Sequence, residues 1–163
     1  MNREKTEIVA RLDSGVAALQ SAVNACSAGL TSIRPAPDRW SVLDCLEHLV
    51  LAEEYLCRQL AAGTAVTPFK NAEREARIVT VGADRRRRIP APDVSHPTGR
   101  WPSIAEAMNA LLVARARTLA FVEGFDGDLR GWQVTHPIAG LVNGYEMLRV
   151  LSASLRSVRP AVS

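Results

Sequence analysis

Residues Arg39–Tyr55, RWSVLDCLEHLVLAEEY, decide how the chain is read. Ser41 has a hydroxyl suited to cap the first turn of a helix, and Asp44 stands where a capping-box partner belongs. Val42, Leu46, Leu49, Leu56 and Leu60 then recur at three- and four-residue steps, which predicts one apolar stripe on a helix that Gly63 ends. Trp40, just before the cap, is expected to staple against Cys45. One histidine, His48, sits among these leucines, and its job is the functional question the sequence poses.

The same periodicity extends outward. Ile8, Leu12, Leu19, Val23, Cys26 and Leu30 predict a first helix over residues 3–29, broken by Pro35 and Pro37. Residues 63–100 hold Pro68, Pro90, Pro92 and Pro97 and no long period, so they read as a crossover with a short helix near Asn71–Val79. Ser103 and Glu106 form a second capping box, and Ile104, Met108, Leu111, Leu112, Leu119 and Val122 carry a third helix toward Gly124. The next stretch, GFDGDLRGWQVTHPIAG, reads as loop. Leu141, Tyr145, Leu148, Leu151, Leu155 and Val158 then predict a fourth helix from about residue 141 to 158, which Pro160 stops. The expected fold is all-α: a single domain over residues 1–163, a four-helix bundle with a long crossover between its second and third helices and no strand.

Composition agrees. At 163 residues the chain is long enough for one buried core, and only 5% of it is aromatic, so alanine and leucine must fill most of the interior. The net charge of +3 is too small to imply nucleic acid. Arg85, Arg86, Arg87 and Arg88 have no aromatic residues interleaved for base stacking, so the run reads as a solvated loop or an anion- or partner-binding one. Three cysteines without a CxxC pair point to reduced thiols and a cytoplasmic location. The charged N-terminus lacks a signal segment, and no stretch is apolar enough to be expected to span a membrane.

Two segments carry a family likeness. RPAPDRWSVLDCLEHLVLAEEYL resembles the second-helix signature of the DinB/YfiT-like four-helix bundles, with its proline-rich entry, Trp-Ser start and following histidine. HPIAGLVNGYEMLRVLSASLRSV resembles their last-helix signature of His-Pro, glycine, Glu-Trp and a histidine pair. The resemblance implies homodimers and, in many members, nickel or zinc held by three histidines. Several such members are thiol-dependent transferases or isomerases using bacillithiol, mycothiol or glutathione. The first family ligand falls on His48. The signature tryptophan is Met147 here, and the other two ligand positions are Ser154 and Val158.

The residue chemistry points the same way. Positions 154 and 158 are one turn apart on one face, the spacing a pair of helix-borne ligands needs. A valine donates nothing, however, and a serine hydroxyl is a poor ligand beside imidazole. His96 and His136 both precede prolines in loops, so neither is expected to supply a second ligand from a regular element. A Cys45–His48 pair with Glu53 or Glu54 nearby is a weak substitute. His48 is better read as a satisfied polar residue at the edge of the stripe, bonded to Asp44 one turn earlier. Ser154 is expected to bond to the carbonyl one turn back, since no oxyanion donor accompanies it as a nucleophile. Trp132 reads as a pocket lid or a loop anchor.

The expected protein is therefore a family member without a metal cofactor, its pocket formed by His48, Asp44, Met147, Ser154, Val158 and Trp132, that binds a small ligand or is catalytically inactive. One alternative is a metal-dependent thiol transferase or isomerase with nickel or zinc at His48 and an altered ligand set. The other is a non-enzymatic interaction protein, acting as a homodimer or through the Arg85–Arg88 loop.

Overall fold

A computed structural model describes residues 3–83 and 90–154. Four helices form the bundle: α1 (Arg3–Asn24), α2 (Val42–Ala61), α4 (Ile104–Gly124) and α5 (Gly144–Ser154). Helix α3 (Ala72–Ala83) lies in the crossover between α2 and α4 and packs on α5. The principal helix contact joins α2 to α4, while α1 packs on both α4 and α5. The chain is an all-α four-helix bundle.

Local chemistry sets the helix starts. Ser41 Oγ accepts from Asp44 N at 3.0 Å and Asp44 Oδ2 accepts from Ser41 N at 2.9 Å, the reciprocal capping box expected of α2. At α4, Ser103 Oγ accepts from Glu106 N, but the Glu106 carboxylate takes its bond from the Ser103 hydroxyl at 3.2 Å. Helix α2 reaches its C-cap at Ala62, and Gly63 serves a different purpose from helix termination. A Cβ there would lie 2.3 Å from Trp132 Nε1, so only glycine lets the indole cross.

The expected loop after α4 contains strands. β2 (Trp132–His136) and β3 (Gly140–Asn143) form an antiparallel hairpin, and β1 (Thr64–Ala65) adds to β2. Val134 pairs with Val142, and both are buried against the bundle. The alternation is too short to stand out beside the Asp, Gly and Pro residues around it, and burial against the helices stabilises it. Leu141 therefore belongs to β3, 60% exposed, and α5 begins three residues after the expected start. Helix α1 ends at Asn24, earlier than the periodicity suggests, and Leu30 lies beyond it, exposed. Leu112, expected on the buried stripe of α4, faces outward at 41% exposure.

The core divides in two. Ile8, Leu12, Leu56, Leu60, Met147, Leu148 and Leu151 pack with Val134 and Val142 of the hairpin. Val16, Leu19, Leu46, Leu49, Val50, Met108 and Leu111 form the second cluster. Glu53, Arg115 and Thr118 fall between the two clusters along α2 and α4, and all three are buried.

Candidate functional site

The expected bond between Asp44 and His48 is replaced by others. Arg34 Nε donates to Asp44 Oδ2 at 2.8 Å and Arg34 Nη2 to Oδ1 at 3.0 Å. Those bonds, with the Ser41 cap, hold the Asp44 carboxyl below its ordinary pKa despite partial burial. The carboxylate is thus committed to the helix start.

His48 turns instead to the crossover. Its Nδ1 lies 2.8 Å from the Ser95 carbonyl oxygen; a carbonyl can only accept, so Nδ1 carries the proton and Nε2 the lone pair. Burial lowers the His48 pKa, the Ser95 bond offsets this in part, and neighbouring His96 lowers it further. The Trp40 ring lies 5.1 Å from His48 and 5.8 Å from His96, centroid to centroid. His96, in a loop, thus comes to the side of His48, which its position before a proline does not reveal. Its Nδ1 donates to Pro97 O at 3.1 Å.

Next to His48, Glu47 is 1% exposed and performs the same clamping more strongly. Its carboxylate accepts from Thr98 N at 2.7 Å, Gly99 N at 3.0 Å, Arg100 N at 3.1 Å and the Thr98 hydroxyl at 3.2 Å. Gly99 has φ +83°, a conformation that favours glycine and lets successive N–H groups turn toward one anion. Burial raises the Glu47 pKa, but the four bonds outweigh it and hold the carboxyl below its ordinary value. Consecutive side chains of α2 therefore fasten the end of the crossover.

The remaining expected site residues scatter. Met147 is fully enclosed in the core. Ser154 Oγ donates to Val150 O at 3.0 Å, the bond expected one turn back. Trp132 Nε1 donates to Leu60 O at 2.7 Å and its ring meets Phe125 edge-on, so it is an anchor between β2 and α2. Val158 and Arg85–Arg88 lie outside the described residues. A serine hydroxyl tied to its own helix is a poor transition-metal ligand beside an imidazole. Among the described residues no group of three or more His, Cys, Asp or Glu side chains is placed to hold a metal ion.

What sequence reasoning missed is a set of buried ionic contacts. Arg115 donates to Glu53 through Nε at 2.7 Å and Nη2 at 2.6 Å, while Thr118 Oγ1 adds a bond at 2.9 Å and Arg115 Nη1 reaches Leu12 O. A signal existed: Glu53 follows Leu49 by one turn and Arg115 follows Leu111 by one turn, so each charge occupies a core stripe. Arg130 binds Glu75 and Glu4 and lies 4.0 Å from the Tyr145 ring centroid, tying α1, α3 and α5 together. Arg74 pairs with buried Glu146 at 2.8 Å and also donates to the Leu141 carbonyl, covering the edge of β3. Every buried side-chain nitrogen and oxygen among the described residues finds a partner.

Among solved structures, the chain is similar to the crystal structure of TT2238, a four-helix bundle protein, at 20% identity, with a TM-score of 0.61 over 94% of each chain. That likeness speaks for the fold alone. No curated protein matches the chain. The sequence model of the DinB superfamily matches residues 11–153, from within α1 to within α5, and the chain belongs to that superfamily.

Proposed function

We propose that this DinB-superfamily bundle works without the three-histidine metal centre, as a small-ligand-binding or catalytically silent member. The observation that carries the reading is the state of the last helix. Ser154, at one ligand position of the resemblance, gives its hydroxyl proton to Val150 O, and Met147, at the position of the signature tryptophan, is sealed in the core, so neither adds an imidazole to His48. The commitment of His48 Nδ1 to Ser95 supports a structural role for the retained imidazole, that of fastening the crossover. Cys26, Cys45 and Cys57, none of them in a disulfide, support a reducing compartment, the cytoplasm. Among the described residues, no helix is long and apolar enough to cross a membrane. Elemental analysis of dialysed protein tests the reading: nickel and zinc are expected far below stoichiometric amounts. Stoichiometric metal that disappears in His48→Ala would overturn it.

A second reading, a metal-dependent thiol S-transferase or isomerase with an altered ligand set, draws support from His96. Its imidazole stands beside His48 near Trp40, and each ring spends its Nδ1 proton on a carbonyl, the support that ligating histidines commonly receive. It predicts nickel or zinc binding that requires both rings, read by titration of His48→Ala and His96→Ala. A third reading, a homodimer, draws support from the outward-facing Leu112 and Val113 on α4 and is tested by light scattering.

A further inference from the structure

A trough of about 290 Å³ runs between α2 and α4, away from His48, and its lining has a definite chemical character. Ala61, Ala114 and Cys57 put two methyl groups and a thiol where larger side chains would fill the groove. Arg58 and Arg117 stand exposed at its rim. Neither meets a carboxylate within ion-pair distance among the described residues, and Arg58 lies 6.0 Å from the Tyr55 ring centroid. Glu54 is the one acid in the lining, and it is paired with Arg100 at 3.0 Å. The trough therefore presents net positive charge over an apolar floor.

That floor is held in place from below. Thr118, one turn after Ala114 on α4, donates to Glu53, and Glu53 is locked to Arg115 in the helix interface. Burial, the largest influence on Cys57, pushes its thiol pKa up, so the sulfur stays neutral and adds no negative charge. A concave surface with small apolar groups beneath and two planar five-donor cations at its rim matches an amphipathic anion.

We infer that the α2–α4 trough binds a small organic anion, a carboxylate or phosphate monoester on a short apolar body, clamped by Arg58 and Arg117. The site lies apart from the His48 region, so its test runs in the presence of a chelator and is blind to the metal question. The full chain is labelled with N-ethylmaleimide, a neutral reagent, and the rates at Cys57, Cys26 and Cys45 are followed by peptide mass spectrometry. Phenyl phosphate and hexanoate serve as probes, with benzyl alcohol as the uncharged control. At about ten times its dissociation constant, either anionic probe should slow Cys57 labelling about tenfold and spare the other cysteines. Benzyl alcohol should give no such protection. The Arg58→Gln/Arg117→Gln variant should bind the probes about tenfold more weakly or worse while keeping its melting temperature. The single variants give the same reading if the double one does not fold.

Three results would overturn the inference. One is the absence of saturable protection by both anions in the native chain. Another is equal protection by benzyl alcohol, or undiminished protection in folded arginine variants. The last is Cys57 labelling that slows with protein concentration alone, since a second copy would then cover the trough.

Discussion

Glu47 and Glu53 lie less than two turns apart on α2, are 1% and 2% exposed, and are satisfied in opposite ways. Glu47 is surrounded by uncharged donors, the N–H groups and hydroxyl of Thr98–Arg100, all on one loop. Glu53 is met by a guanidinium from the facing helix and a hydroxyl one turn away. The first arrangement uses a buried charge to organise flexible backbone. The second uses rigid elements to neutralise a charge inside the bundle. The donors around Glu47 belong to exposed residues that can turn to water when the carboxylate is removed. Arg115, 3% exposed, has no such exit.

That contrast fails most visibly if the helix interface tolerates a lone charge. Arg115→Met leaves Glu53 buried and unpaired, and should destabilise the protein by about 3–5 kcal/mol in urea unfolding. The double variant Glu53→Leu/Arg115→Met should recover much of that loss, because replacing both ions removes the desolvation penalty along with the attraction. A single variant within about 0.5 kcal/mol of the native chain would show the pair to be incidental.

Glu47→Gln is the next largest effect, about 1.5–3 kcal/mol, with faster hydrogen exchange at Thr98, Gly99 and Arg100 and little change in the α1 and α4 amides. Acid should reproduce it. The folded-state pKa of Glu47 is held below 4.5, so its contribution is complete above pH 4.5 and fades as pH falls through the lowered folded value. The Gln variant should lack that part of the acid sensitivity. Equal exchange rates in the variant and native chains would separate Glu47 from crossover order.

The smallest effect extends the comparison to an uncharged acceptor. His136 Nδ1 accepts from Ile138 N at 3.2 Å and Ala139 N at 3.1 Å across the hairpin turn, so that nitrogen must be unprotonated. Burial lowers the His136 pKa, so its stabilisation is present above 6.5 and is lost as pH falls through the lower folded value. The loss should be about 1 kcal/mol and confined to the hairpin, visible as shifts of the Ile138 and Ala139 amides. Amides unmoved down to about pH 5 would show the turn to be independent of the imidazole.

Much of this was legible and some was not, for reasons that differ by residue. Ser41 and Asp44 announced the start of α2 because a cap is a local arrangement of neighbours. Tyr145, Leu148 and Leu151 announced the buried face of α5 for the same reason. The hairpin was hidden because a strand takes its identity from its partner, and Val134 meets Val142 only once the chain has turned. At the candidate site, Met147, Ser154 and Val158, none of them an imidazole, were plain in the sequence. The company of His48 was not: Asp44, in register on the same helix, was the natural partner, yet Arg34 had claimed it.

By itself, then, the sequence determined that this chain makes four long helices with one long crossover, because periodicity and caps act over one or two turns. Only the tertiary structure decided that His48 faces Ser95 and His96, that Glu47 holds a loop about fifty residues away in sequence, and that α2 and α4 enclose a cationic trough. Each of these depends on where distant segments come to rest, since the direction of a hydrogen bond and the charge of a groove are settled by neighbours in space.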